Sequence, residues 1–555
     1  MSRPRFTPET VATCWRDALD LWDIRVHLSP PEPHVPFSAD EAHPNEPLAY
    51  IDLEKRQVFV HFELLHRMGA AGSLTAVLAH EIGHHARFPH TLGWDAELRV
   101  LEQRLIPWLK QSLTNLFYDL QVNEVVGRTH AAELAEVYRG FQRVHGPGAT
   151  PLFFFYLAIY EELWGLAPGQ LAPPALEAPM EARFPGIRAE ARVFAQTFYA
   201  LPSPRLQFVY FCSTFIRFTD NPEETTYCLP LGGDVSTPDA DDLDAAIHGT
   251  GRWDDALEEA KARGWLGDGG TASGEAQPDA LTTIDRITHH LPGKGRGELR
   301  RVLVRKHYKR LVDPHILKLP SAPSKPEPYL RTIPEAWEYG DDPSSIDWTL
   351  TVLSQGHLAA VSPLRRELEA DLPPPSELGV PALELYVDTS GSMPNPQHQF
   401  NAMTLAAQVL SASALRKKAT VKGVIYADGP PDVSPWMYDE DTARDFLLGY
   451  IGGGTNYPFD LLESLSEERP DAMRVIISDS DFLANVTTGD NMRLLVEATR
   501  RSRLVVAFLA LPDDHKARAI LAPALAERRF RLVVVTWLSD FGPAAAALAR
   551  ALLEN

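Results

Sequence analysis

Hydrophobic residues in this chain follow two regimes, separated by a polar interval. Over roughly the first 230 residues, apolar positions recur at three- and four-residue spacing, the period of helices that bury one face. An exception is "LAYIDLEKRQVFVHF" within 46–66, where alternation around a turn near Glu54–Gln57 predicts a hairpin. Leu74, Val77 and Leu78 then form an apolar helical stripe with Ser73 as the expected N-cap. A second helix is expected over Ser112–Val126. The aromatic runs "TPLFFFYLAIYEELWGLAP" and "LQFVYFCSTFIRF" fit core helices. The first is broken by Glu161 and Glu162 and is too short to span a membrane.

Beyond residue 381 the pattern changes to dense apolar runs at 383–387, 421–427, 474–478, 503–511 and 530–537. Such runs are produced by strands buried on both faces. Amphipathic stretches at 397–415, 459–467, 489–501, 514–527 and 541–553 lie between or after them, so a doubly wound, Rossmann-like α/β domain is expected. The reading is an α/β multidomain chain: 1–232 mainly helical with a small sheet, 233–380 an acidic and Pro-rich linker with an accessory segment, and 381–555 the doubly wound domain. The middle part holds "LGDGGTASGEAQPDA", "LPSAPSKPEP" and "DLPPPSELGVP", all linker-like.

Composition narrows the setting. At 555 residues the chain exceeds a single core, and 45% hydrophobic with 23% charged residues is ordinary for a globular protein. Cys14, Cys212 and Cys228 are few, odd in number and lack metal-like spacing; with no signal-peptide pattern, a cytoplasmic protein is expected. The net charge of −21 argues against nucleic acid or an anionic membrane as partner. "KGRGELRRVLVRKHYKRL" from Lys294 to Leu311 is a local basic exception, either a solvated helix face or a docking surface for acidic residues such as Asp239–Asp244.

Two motifs carry chemistry. Residues 80–85 read HEIGHH, an HExxH motif in helical context. His80 and His84 share a helix face and can reach one Zn²⁺, while Glu81 lies alongside as general base. A third ligand is needed, and three residues offer one. Asp119 is preferred, because Asn115, Asp119 and Asn123 form a polar stripe that burial against a metal would satisfy. Glu124, about 140° around the same helix, is the second choice. His90 is the third; it holds the last position of HExxHxxGxxH, but Arg87 replaces that pattern's Gly and no Met-turn follows. His85 is a candidate oxyanion donor.

Downstream, "LELYVDTSGSM" ends an apolar strand with Asp388, Ser390 and Ser392 in DxSxS order. One carboxylate and two hydroxyls on a tight turn suit a hard cation, Mg²⁺ or Mn²⁺. The pattern resembles the metal-ion-dependent adhesion site (MIDAS) of von Willebrand factor A (VWA) domains. That resemblance implies that Thr455 in "IGGGTNYPFD" and Asp479 in "RVIISDSDF" complete the site. Ser478 and Ser480 replace the more usual Thr and Gly there, and Asp481 adds a carboxylate.

Taken whole, through HEIGHH, "FYDLQVN", "WEYGDDPSSIDWTLT" and "DTSGSM", the chain resembles a bacterial metallopeptidase family with a C-terminal VWA-like domain, the MoxR-associated type. The resemblance implies a zincin-like N-terminal domain and a MoxR-type AAA+ ATPase as partner. Two function classes follow. One is a zinc metalloendopeptidase acting on a protein or peptide substrate, with the VWA domain recruiting partner or substrate. The other is a non-proteolytic scaffold or maturation factor working with the ATPase through the VWA metal site.

Overall fold

A computed structural model describes residues 6–22, 27–33, 47–109, 111–146, 150–219, 231–234, 238–267, 278–291, 295–316, 331–338, 340–355, 363–369 and 382–553. The linker-like segments 268–277, 319–328 and 371–381, and Cys228, lie outside them. The chain divides into two compact units, Met1–Tyr308 with Gln397–Gln399, and Lys309–Pro396 with Phe400–Asn555. Residues 238–308, which composition assigns to the linker interval, therefore group with the first unit.

The first unit is mainly helical around a small four-stranded sheet of order β1-β3-β2-β4. Its strands are β1 (Ser29–Pro33), β2 (Ala49–Asp52), β3 (Gln57–Val60) and β4 (Leu231–Asp234). The expected hairpin is the antiparallel β2–β3 pair, with Ala49 opposite Val60 and Asp52 opposite Gln57. It leads into α1 (Leu74–Ala86), followed by α2 (Leu92–Leu105), α3 (Thr114–His145) and α4 (Pro151–Leu163). Ser73 closes a 3₁₀ turn before α1 and makes no side-chain cap bond, so the expected N-cap role is replaced by a buried turn.

Almost every residue of α1 from Leu74 to His84 is buried, because one side faces the sheet core and the other faces α3. Gly83 makes this approach possible. A β-carbon there would stand 2.4 Å from Val122 Cγ1 and 2.5 Å from the Trp22 ring. Trp22 also donates its indole N–H to the Ala79 carbonyl, 2.8 Å away. The aromatic helices form a separate core around Phe117, Phe155, Phe211 and Phe215. In the basic helix Arg296–Val312, Lys306 pairs with Asp241, Arg300 with Asp285 and Arg301 with Glu298. Asp241 is 84% exposed, so its pair belongs to a solvated face and contributes little stability.

The second unit holds a two-stranded ribbon, β5 (Arg331–Ala336) with β6 (Leu364–Glu369), and a six-stranded sheet. The six strands are β7 (Ala382–Asp388), β8 (Thr420–Tyr426), β9 (Asp432–Val433), β10 (Met473–Ser478), β11 (Leu504–Ala510) and β12 (Phe530–Val535). Their order is β12-β11-β10-β7-β8-β9, parallel except for the edge pair β8–β9. Helices α5 (Ala402–Arg416) and α8 (Phe541–Leu553) cover one face, α6 (Phe459–Glu468) and α7 (Asn491–Arg501) the other. Leu383, Leu385 and Val387 enter the first core while Tyr386 enters the second, which is why the strand is apolar at nearly every position. The chain leaves β7 in one direction to β8 and returns to the other side with β10. The carboxyl ends of β7 and β10 therefore flank the switch point, where open α/β sheets form ligand crevices.

Candidate metal centres

α1 and α3 bring His80, His84 and Asp119 together, all 0% exposed. His80 Nε2 lies 3.0 Å from His84 Nε2, and each lies 3.5 Å from Asp119 Oδ1. The outer ring nitrogens fix the tautomers. His80 Nδ1 donates to Asn123 Oδ1 at 2.7 Å, and His84 Nδ1 donates to the Phe88 carbonyl at 3.0 Å. With both neutral rings protonated at Nδ1, both Nε2 lone pairs and a carboxylate oxygen point at one spot. Asp119 Oδ1 has no hydrogen-bond partner of its own. A donor set so placed in a dry interior could hold a cation. Zn–N bonds of about 2.0–2.1 Å in a tetrahedron separate ligand atoms by about 3.3 Å, close to the triangle observed. Burial pushes the Asp119 carboxyl up; the two histidines, when an Nε2 carries a proton, outweigh burial and hold it below the usual aspartate range.

Glu81 follows His80 on the same buried turn. The other third-ligand candidates stand elsewhere. Glu124 pairs with Arg128 at 2.9 Å and with Arg87 at 3.7 Å. His90 is exposed, with φ 67°, and its Nδ1 donates to the His85 carbonyl at 2.7 Å. His85 stands outside the triangle, its ring pushed toward the neutral form by burial and then by His90 and Arg56.

Sequence reasoning overlooked two residues of this site, Tyr156 and Tyr160 on α4. Their hydroxyls lie 2.8 Å apart, with Tyr156 reaching Asp119 Oδ2 at 3.5 Å and Tyr160 receiving the Asn123 amide at 2.9 Å. The available signal was a pair of tyrosines four apart in the apolar part of that helix, since a buried hydroxyl needs a polar partner.

In the second unit, Asp388, Ser390, Ser392 and Asp479 meet at the switch point. Ser390 Oγ is 3.1 Å from Ser392 Oγ, which donates to Asp479 Oδ2 at 3.3 Å. Asp388 Oδ1 accepts the Ser390 amide at 2.9 Å, and its Oδ2 accepts the Ser478 hydroxyl. Neighbouring oxygens around an octahedral Mg²⁺ stand about 2.9 Å apart, so this oxygen set fits a hard cation. Thr455 is on the loop tied to the DxSxS turn by the Gly391 amide donating to the Gly453 carbonyl, 2.6 Å, and the Gly452 amide to the Thr389 carbonyl, 2.9 Å. A β-carbon on Gly391 would sit 3.0 Å from that Gly453 carbonyl, so the close approach favours glycine. Asp481 contributes its amide, which donates to Asp479 Oδ1 at 2.8 Å. Burial pushes the Asp388 carboxyl above the ordinary range, partly offset by the Ser478 and Ser390 bonds.

Residues 24–96, which include the hairpin and the HExxH helix, match the model of Peptidase family M48. This match supports a metallopeptidase. A solved structure described as von Willebrand factor type A from Catenulispora acidiphila is similar at 15% identity and TM-score 0.24, over 31% of this chain and 42% of that one. The chain thus spans less than half the length of that structure. No curated protein matches the chain. Among the described residues, no helix is long and apolar enough to cross a membrane.

Proposed function

We propose that the first unit is a zinc-dependent metalloendopeptidase centre and that the second is a VWA-like module recruiting a protein partner or substrate. The observation that carries this reading is the convergence of His80 Nε2, His84 Nε2 and Asp119 Oδ1, with Glu81 next in sequence on the same turn. These three residues would hold the zinc. When bound, it supplies Lewis acidity that polarises a scissile carbonyl and acidifies an attacking water. Glu81 takes the proton from that water at its carboxylate and delivers it to the leaving amine. Asn123 and the Phe88 carbonyl hold the imidazoles in the ligating tautomer. In the second unit, Asp388, Ser390, Ser392 and Asp479, with Thr455 from the adjoining loop, would hold Mg²⁺ or Mn²⁺ and capture a partner's carboxylate.

The test is metal analysis with a generic peptide-cleavage assay. His80→Ala and His84→Ala should each lose stoichiometric zinc. Glu81→Gln should retain it while turnover falls by about 10²–10⁴-fold, the usual contribution of a general base. Full zinc loading in both histidine variants would reject the centre.

One observation favours a second reading: His80, Glu81, His84 and Asp119 are all fully buried, as in a structural metal pin. In that reading the chain is a scaffold or maturation factor for a MoxR-type AAA+ ATPase. Zinc-loaded wild-type protein that cleaves no peptide, with or without such an ATPase and ATP, decides for it.

A further inference from the structure

We propose that Tyr156 and Tyr160 are positioning residues of the His80/His84/Asp119 centre: with Asn123 they form a hydrogen-bonded chain from His80 to Asp119, completed into a ring by the metal, that fixes the tautomer of His80 and the free oxygen of Asp119 together. The proposal rests on the metal-centre reading above, and its chemistry follows from which atoms can donate. The Asn123 carbonyl oxygen only accepts, so His80 Nδ1 must carry the proton in their 2.7 Å contact. The Asn123 amide nitrogen only donates, so the Tyr160 hydroxyl accepts from it at 2.9 Å. Tyr160 then has its own proton for Tyr156, 2.8 Å away. Tyr156 in turn donates to Asp119 Oδ2, the longest link at 3.5 Å. This direction of donation gives every link one donor and one acceptor.

The ring begins at one ligand and ends at another. Asp119 Oδ2 is engaged by Tyr156, which leaves Oδ1 to face the two Nε2 atoms and favours binding through one oxygen. All five side chains are buried, at 0% exposure, so water cannot substitute for a lost hydroxyl. Tyr138 touches the same Asn123 amide at 3.5 Å and also bonds with the Tyr156 and Tyr160 hydroxyls, so it borders the same network.

The experiment measures zinc affinity by chelator competition on the full chain, together with the visible ligand-field bands of the Co²⁺-substituted protein. Tyr156→Phe and Tyr160→Phe should each weaken zinc by about 10–100-fold, the usual effect of losing a partner that orients a ligand. The double variant should fall no further than the worse single, because opening the ring once frees both ends. Where a variant lowers the melting temperature of the apo-protein, the Co²⁺ bands still report the ligand geometry of the folded fraction, and they should shift in Tyr156→Phe alone and in Tyr160→Phe alone. Unchanged affinity and bands in both variants, with His80→Ala zinc-free, would overturn the ring and leave the metal centre standing. Wild-type protein that binds no stoichiometric zinc would remove the metal reading itself.

Discussion

Glu384 and Arg474 face each other on β7 and β10 at 0% exposure, a full charge pair inside an apolar sheet. The Arg474 Nη2 atom donates to Glu384 Oε1 at 3.0 Å and to the Leu465 and Arg469 carbonyls, while Nη1 donates to Ser502 Oγ at 2.8 Å. Burial pushes the Glu384 carboxyl up, and Arg474 pulls it back. A pair so well satisfied is costly to break one-sidedly, because the survivor keeps its desolvation penalty without its partner. Arg474→Met should cost the second unit about 3–5 kcal/mol in urea unfolding. Glu384→Gln, which retains an acceptor, should cost less. Equal losses in the two variants would show that packing outweighs charge at this pair.

At the scale of elements, the proposed zinc site depends on how closely α1 and α3 approach. Gly83→Ala places a methyl inside the contact distances of Val122 and Trp22. It should destabilise the first unit by about 1–3 kcal/mol and weaken zinc retention, as read by thermal unfolding and metal content. A variant with wild-type stability would mean that the helices slide apart freely. A second joint ties α2 to the start of α3: Glu102 Oε1 accepts the Leu113 amide at 2.6 Å. Burial raises the Glu102 carboxyl from 4.5 to about 7, despite the opposing bonds from Ser112 and Leu113. The folded state therefore keeps a proton there that the unfolded chain has lost between those two values. Stability from this group is fully present below about 4.5, declines as pH rises, and is lost above about 7, a swing of roughly 3 kcal/mol. Glu102→Gln cannot ionise, so its melting temperature should fall less between about pH 5 and pH 8 than wild type does. An identical slope would place the titration elsewhere.

For the whole molecule, the two proposed metal sites belong to separate compact units. Asp388→Ala should therefore abolish tight Mg²⁺ or Mn²⁺ binding and weaken partner capture while leaving zinc content unchanged. His80→Ala should do the reverse. Cleavage of a small peptide should survive Asp388→Ala, and equal loss of cleavage in both variants would show that the sites are coupled.

Local pattern was enough for the HExxH helix, the hairpin before it and the five parallel strands of the second unit, since each follows from spacing within a few residues; the short strands β5, β6 and β9 and the helix Glu440–Leu447 left no such signal. Local pattern was also enough for the DxSxS turn, which contains its own hydroxyls and carboxylate. The polar stripe of Asn115, Asp119 and Asn123 ranked Asp119 above Glu124 and His90, but only the packing of α1 on α3 decides which face of that helix meets His80 and His84. The tyrosine ring was invisible for the same reason. Tyr156 and Tyr160 lie in an apolar run, and their partners Asn123 and Asp119 are 37 residues away. Composition placed 238–308 in the linker and accessory interval, whereas the compact first unit runs to Tyr308, a grouping of distant segments that spacing cannot show. Sequence determined which residues could act; only the tertiary structure decided which of them face one another, because contacts between distant segments are set by packing that no local period records.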